Sequence, residues 1–325
     1  FMQWQWRPAW PLALQLEVKG PNCRFILGLS SSWIRNSQTN MEQGIILSGV
    51  GGTYEVQTKN DILLCTLRGR LRLADDRVLV GDRVRVSREG ERGVVEEILP
   101  RSSELKRPPI ANVDQVVAVF AVQDPLPSLI LLDRILVHAE LASLPSVVVF
   151  NKGDLSPEKA EKLQQMYASI SYPTLITSAE VGLGLESLAD LLSQKISSLV
   201  GPSGVGKSSL LNALDPNLEL ETQTVSAKVQ RGRHTTRSVR LLPLAQGYVA
   251  DTPGFSQLNL GPDQEGELQG AFPDLRSIAD YCRFRGCLHR HEPGCAVKEA
   301  VQDGQILAHR YKHYLLLLDE AAPRY

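Results

Sequence analysis

Gly201-Pro202-Ser203-Gly204-Val205-Gly206-Lys207-Ser208-Ser209 fits the pattern G-x-x-x-x-G-K-[ST]. Its flanks supply the strand and helix that this pattern needs to be more than a glycine-rich turn. Ile196 to Val200 reads as a short buried strand, and Ser208 to Leu214 reads as the start of a helix that Asp215-Pro216 ends. The glycines let the backbone curl until successive N–H groups face a phosphate chain, and the helix N-terminus adds a partial positive charge. In such a loop Lys207 reaches the β- and γ-phosphates and the Ser208 hydroxyl takes Mg²⁺.

Upstream, Asn151-Lys152-Gly153-Asp154 follows the apolar run Pro145 to Phe150, which reads as a buried parallel strand. Ligands of open α/β sheets bind beyond the carboxyl ends of such strands. The Asp154 carboxylate can accept from the guanine N1–H and 2-amino group. Adenine offers neither donor, and a site built this way discriminates by ~10⁴ or more. Asn151 is expected on the O6/N7 side, tying neighbouring loops together, with the Lys152 stem over the base. A polar loop after a strand also satisfies N-K-x-D, but beside a phosphate loop the motif reads as guanine recognition. Thr177-Ser178-Ala179, at the end of a strand expected over Pro173 to Ile176, suits a backbone contact to guanine O6 or is a plain strand end. A Ras-like GTPase runs its phosphate loop first and its guanine reader late, so this chain enters the fold at a different point.

Asp251-Thr252-Pro253-Gly254 follows the strand-like Gly247 to Ala250. Asp251 would hold Mg²⁺ through water and the Gly254 N–H would meet the γ-phosphate. Between the two motifs lies the polar stretch Thr222 to Arg237, with Arg231-Gly232-Arg233-His234-Thr235-Thr236. A threonine that ligates Mg²⁺ only beside a γ-phosphate would order this segment as a switch, and both Thr235 and Thr236 qualify. Phe255 stands where a Ras-type enzyme has its water-orienting glutamine. Unaided turnover should therefore be slow, and His234 is the candidate to orient the attacking water, with a solvated loop histidine or a phosphate contact as the plainer alternatives.

Of five cysteines, three crowd into Cys282-x₄-Cys287-x-His289-x₅-Cys295. Three thiolates and an imidazole are a common tetrahedral Zn²⁺ set, here expected to be structural, with no position left for water. Pro293-Gly294 can turn Cys295 back, and His291 is the rival imidazole. No secretory signal is recognised, so a disulfide is less expected than a metal.

A chain of 325 residues has room for two or three domains. Hydrophobic content of 43% is ordinary for a globular protein. No uncharged apolar run is long enough to span a bilayer, so no membrane partner is expected. A net charge of −1 excludes polyanion binding by bulk charge, so any nucleic-acid contact must come from local patches. Residues 1–40 hold all four tryptophans and a single acid, Glu17, and are expected to form a poorly ordered extension. Met41 could be a natural start, and the low acid content is compatible with an organellar targeting remnant. Residues 44–100 show about five short β-rich runs, as in a small OB-type barrel, with recurrent arginines that suit either RNA or a solvated surface. Pro100 to Pro109 reads as a linker. Residues 110–260 alternate strands and helices as a doubly wound α/β GTPase domain. Residues 261–325 turn helical around the cysteines and end in His309-Arg310-Tyr311-Lys312-His313-Tyr314, which suits RNA stacking or a packed terminal helix.

In this order, barrel, N-K-x-D, G-x-S-G-V-G-K-S-S, R-H-T-T, D-T-P-G-F and C-x₄-C-x-H-x₅-C, the chain resembles the circularly permuted RsgA (YjeQ-type) GTPases over about residues 44–320. The resemblance implies GTP hydrolysis stimulated by the small ribosomal subunit during its late maturation, and rRNA contact through the barrel and the zinc domain. It also implies zinc on Cys282, Cys287, His289 and Cys295, and a cytoplasmic monomer, or a plastid one if residues 1–40 are a targeting remnant. Arg237 departs from a frequent third threonine. One rival is a non-catalytic RNA-binding zinc protein that holds GTP as a structural ligand. The other is a transporter or repair ATPase suggested by the phosphate loop alone, which the Asp154 reading opposes.

Overall fold

The computed structural model describes residues 41–73, 77–106, 108–220, 239–251, 260–261 and 264–322. The first strands are β1 (Met41–Val50), β2 (Thr53–Gln57) and β3 (Ile62–Leu67). A short helix α1 (Gly69–Leu73) separates them from β4 (Arg83–Glu89) and β5 (Arg92–Ile98). Together the strands close into a barrel of order β1-β2-β3-β5-β4, with β3 and β5 parallel and the other pairs antiparallel. Alternation sends Val56, Leu63, Cys65, Val84, Val86 and Val95 inward as the barrel's own core. Three of its arginines pair with acids: Arg68 with Glu96, Arg85 with Glu97, and Arg88 with Glu42 and Asp61.

Residues 100–109 do not run free as the composition suggests. They enter a hairpin of β6 (Glu104–Lys106) and β7 (Pro109–Ala111), and their polar groups are used. Arg101 donates to the buried Asp82 at 2.7 Å and to the Arg77 carbonyl at 2.6 Å. Asn112 donates to the Gly81 carbonyl at 2.9 Å.

The α/β domain carries β8 (Gln115–Ala121), α2 (Leu129–Leu141), β9 (Ser146–Asn151), α3 (Pro157–Ala168), β10 (Thr174–Ile176), α4 (Leu185–Leu192), β11 (Ile196–Val200), α5 (Lys207–Leu214), β12 (Arg240–Leu244) and β13 (Gly247–Asp251). Its sheet has the order β10-β9-β8-β11-β13-β12, parallel except for the β12–β13 pair. Every residue of β8, β9 and β11 is buried, because helices cover both faces. One face packs on α2 and α3 through Leu132, Ile135, Leu163 and Tyr167, the other on α4 and α5 through Leu188, Leu192, Leu210 and Leu211. Barrel residues Ile45 and Leu47 enter the first of these clusters.

The last domain packs α6 (Pro273–Ala279), α7 (Ala296–Gln302) and α8 (Ala308–Ala321) around Leu268, Phe272, Leu275, Val297 and Leu318. The basic segment of α8 resolves toward packing: Arg310 and Tyr314 are fully buried. Among the described residues no helix is long and apolar enough to cross a membrane.

Candidate nucleotide site and metal centre

The phosphate-loop sequence leaves β11 and enters α5. Gly201 has φ +151°, and a Cβ there would sit 2.0 Å from the Val119 carbonyl oxygen. Gly206 has φ +93°, and a Cβ there would meet the Asn151 amide nitrogen at 2.4 Å. Only glycine allows both approaches. Between them lie Pro202, Ser203, Gly204 and the buried Val205, while Ser208 and Ser209 occupy the first turn of α5, half-buried. The Lys207 ammonium donates to the Gly201 carbonyl at 2.8 Å and to the Pro202 carbonyl at 2.7 Å, so it lies across the loop it is expected to serve.

The tetrapeptide Asn151–Asp154 meets this loop directly. The buried Asn151 amide donates to the Val205 carbonyl at 2.8 Å, and its oxygen accepts from the Thr177 hydroxyl at 3.2 Å. Three segments far apart in sequence thus share one side chain. Lys152, in the left-handed region at φ +59°, donates to the Asp124 carbonyl. The Gly153 N–H donates to the Thr177 carbonyl at 3.0 Å. Asp154 sits in the single helical turn Gly153–Leu155, half-buried, its carboxylate without a hydrogen bond to any described residue. Ser178 is buried and its N–H donates to the Leu183 carbonyl at 2.9 Å, which closes the loop carrying Ala179 on itself. The backbone of Asp251 ends β13 opposite Leu199 of β11, two residues before Gly201. His234, Thr235, Thr236, Gly254 and Phe255 lie outside the described residues.

The fold therefore brings guanine tetrapeptide and phosphate loop to the same carboxyl edge of one sheet, although the first precedes the second in the chain. Residues 98–261 match the family model described as RsgA GTPase, and residues 43–95 match the RsgA N-terminal domain. The chain belongs to the RsgA family. It is 47% identical to the small ribosomal subunit biogenesis GTPase RsgA of Moorella thermoacetica, over 87% of this chain and 98% of that protein. With its counterpart of the same name in Carboxydothermus hydrogenoformans it shares 46% identity, over 86% of this chain and 97% of that one. YjeQ from Thermotoga maritima superposes with a TM-score of 0.75 at 38% identity, covering 88% of this chain and all of that one. YloQ, described as a circularly permuted GTPase, gives a TM-score of 0.73 at 36% identity over 90% of this chain and 100% of its own. This RsgA-family chain is a GTP hydrolase with a permuted GTPase fold, which sets aside both the ATPase and the purely structural use of GTP.

In the last domain Cys282, Cys287, His289 and Cys295 place their ligand atoms within 4.8 Å of one another. The His289 Nδ1 lies 3.3 Å from Cys295 Sγ and 3.6 Å from Cys282 Sγ. Burial pushes the Cys287 thiol up to about 12 and raises Cys295 as well, while burial lowers His289. Such thiols keep their protons until a cation displaces them, and three sulfurs with one neutral imidazole suit a zinc ion. The rival His291 is exposed, and its N–H donates to Glu292.

Several residues escaped the sequence reading. Glu292 also accepts from the N–H groups of Leu288 and Arg290, at 2.7 and 2.8 Å, and so clamps the turn that carries His289. The Tyr311 and Tyr314 hydroxyls donate to the carbonyls of His289 and Leu288 at 2.5 and 3.0 Å, fastening that turn to α8. The spacing of the two tyrosines along the helix was the available signal.

Proposed function

We propose that this GTPase acts in late maturation of the small ribosomal subunit, whose biogenesis its RsgA relatives are named for, and that subunit and rRNA contact stimulate its hydrolysis. The observation that carries the nucleotide part is the Asn151 amide joining the guanine tetrapeptide to the phosphate loop at 2.8 Å. Asp154 is left free to accept from guanine, Lys152 covers the base, and the Ser178–Ala179 backbone meets O6. The 201–209 loop wraps the phosphates, and Lys207 exchanges its two carbonyl partners for phosphate oxygens, gaining charge-assisted bonds in place of neutral ones. One Mg²⁺ held at Ser208 and Asp251, with Thr235 or Thr236 joining, would offset phosphate charge. His234 orients the attacking water, and the Gly254 N–H meets the γ-phosphate.

The cysteine–histidine cluster is assigned one structural Zn²⁺. In this chain order the segment after Asp251 leads straight toward the metal domain, so a switch ordered by γ-phosphate can bias how that domain docks. The barrel's arginines supply a second RNA contact. The protein is placed in the cytoplasm as a monomer.

The test is GTP turnover measured with purified small subunits, with large subunits and with neither. Stimulation by small subunits alone is expected, and equal rates in all three would sink the ribosomal reading. His234→Ala should lower turnover with GTP affinity kept. Asp154→Asn should shift preference toward xanthine nucleotides.

A further inference from the structure

A cleft of about 280 Å³ opens where the barrel meets the α/β sheet. It is lined by Ile196 and Gly247, the first residues of β11 and β13. The nucleotide loops leave the opposite, carboxyl ends of those strands, so the two sites share no residue. Inter-domain crevices with an apolar floor and a few convergent polar groups are where small ligands bind.

The cleft has that character. Ile45, Ile196 and Gly247 are buried and Tyr248 is half-buried, whereas Arg83, Gln194 and Gln246 are exposed at the rim. The Arg83 guanidinium has no ion pair or hydrogen bond among the described residues, unlike those of Arg68, Arg85 and Arg88. It lines the same cleft as Tyr248, whose phenol pKa is raised by burial and lowered by the Arg83 charge. Two other charges line the cleft and are engaged. Lys195 donates to the Gln115 side chain at 3.2 Å, and Asp114 accepts from the Ile196 N–H at 2.8 Å.

The two rim glutamines carry the argument further. Gln194 has φ +57° and Gln246 has φ +61°, the left-handed region that glycine enters without steric cost. Two-residue hairpin turns such as Ala245-Gln246 usually carry Asn-Gly. Glutamine stands at both places, and neither side-chain amide has a hydrogen-bond partner among the described residues, so both are open toward the cleft.

We propose that this cleft binds one nucleotide unit, the base lying on the Ile196–Gly247–Tyr248 floor, its edge met by the Gln194 and Gln246 amides and its phosphate by Arg83. Primary amides pair bidentately with base edges, aromatic surfaces accept unstacked bases, and guanidinium suits phosphate. A free mononucleotide and a splayed nucleotide of an RNA strand present the same chemistry. The site goes beyond the GTPase reading and does not depend on it.

The full chain, saturated with GDP to fill the guanine site, is titrated with AMP, CMP and UMP by calorimetry. In a separate arm it is cross-linked to an unstructured oligoribonucleotide carrying 4-thiouridine, and the products are mapped by mass spectrometry. Saturation by a mononucleotide identifies a small-molecule site. Cross-links to residues 194–195 or 246–248 without such saturation identify an RNA site. In either case Gln194→Gly/Gln246→Gly should weaken binding by about tenfold or more, as expected for two lost hydrogen bonds. The thermal midpoint and GTP turnover of that variant should be kept, because glycine suits both backbones. Neither saturation nor cleft cross-links in the parent chain, or equal binding by parent and double variant, would overturn the proposal.

Discussion

The C-terminal helices hold the α/β domain through a buried ion cluster, whereas the barrel holds it through apolar strand residues and an ion pair open to water. Arg310 on α8 donates to Asp133 on α2 at 2.7 Å and to Asp274 on α6 at 2.9 Å, and both members of the Arg310–Asp133 pair are 0% exposed. Asp133 also accepts from the Tyr167 hydroxyl at 2.9 Å and contacts the His313 ring at 2.5 Å. Phe272 lies under the guanidinium at 4.6 Å. Burial opposes the Arg310 charge, but the two carboxylates more than offset it and raise its pKa. On the other side, Arg240 of β12 reaches Glu55 of β2 at 3.1 Å with 57% and 33% of the two side chains exposed, and a cleft runs alongside. A buried pair specifies one arrangement because breaking it strands a charge. An exposed pair specifies little. The metal domain is thus indexed to α2, and the barrel's joint has room for a ligand.

The sharpest way to break this contrast is Arg310→Met. It leaves Asp133 and Asp274 buried without their cation, and the expected loss is about 3–5 kcal/mol in urea unfolding. Replacing all three residues, as Asp133→Asn/Asp274→Asn/Arg310→Met, should cost less than the single change, since no ion is left stranded. If the single variant lost under about 1 kcal/mol, the joint would be held by the apolar contacts around Val137 and Leu317 instead.

Arg101→Ala probes the intermediate case. Asp82 is 0% exposed while Arg101 is 25% exposed, and Asp82 keeps the Leu79 N–H at 2.7 Å after truncation. A loss of about 1–3 kcal/mol is expected, with partial recovery in Arg101→Lys, which restores charge without the two-pronged geometry. Equal loss in both variants would show that the fork, not the charge, fastens the β6–β7 hairpin to the barrel.

Much of the candidate nucleotide site was legible because its chemistry is local. A glycine loop between strand and helix, and a tetrapeptide at a strand end, each carry their geometry within a few residues. Sequence spacing also brought out the four metal-ligand candidates. The joints were not legible, because their partners lie far apart in the chain. Asp133 sits in the apolar stretch Leu129–Leu141, and a carboxylate on a buried face was a sign that a cation must meet it. Nothing local says that the cation is Arg310, read from sequence as one of several basic residues in a segment suited to RNA or to packing. Residues 100–109 looked like a linker for a similar reason: Arg101 and Ser102 find their side-chain partners only once Asp82 and Asn112 are placed beside them.

Arg240→Ala should cost at most about 1 kcal/mol, as for exposed pairs generally, and less at high salt. A loss of the size expected for Arg310→Met would mean that the barrel's joint is also electrostatically fixed, and the contrast between the two sides would fail.

The smallest effect separates the same two joints by pH. Glu320 on α8 lies 2.5 Å from Arg134 on α2, at the edge of the buried cluster. The Arg134 hydrogen bond lowers the Glu320 pKa, burial opposes this, and the Leu260 N–H adds to the lowering. A carboxylate whose folded pKa lies below its unfolded one stabilises fully above the unfolded value, here 4.5, and loses that contribution as pH falls through the folded value. The pair should therefore be silent to pH near neutrality and weaken only on acidification below that point. Glu320→Gln should lose at most about 1 kcal/mol at neutral pH and show a shallower acid limb in stability against pH. An unchanged acid limb would mean that Glu320 meets Arg134 equally well when protonated. The grip of α8 on α2 would then rest on Arg310 and the apolar contacts alone.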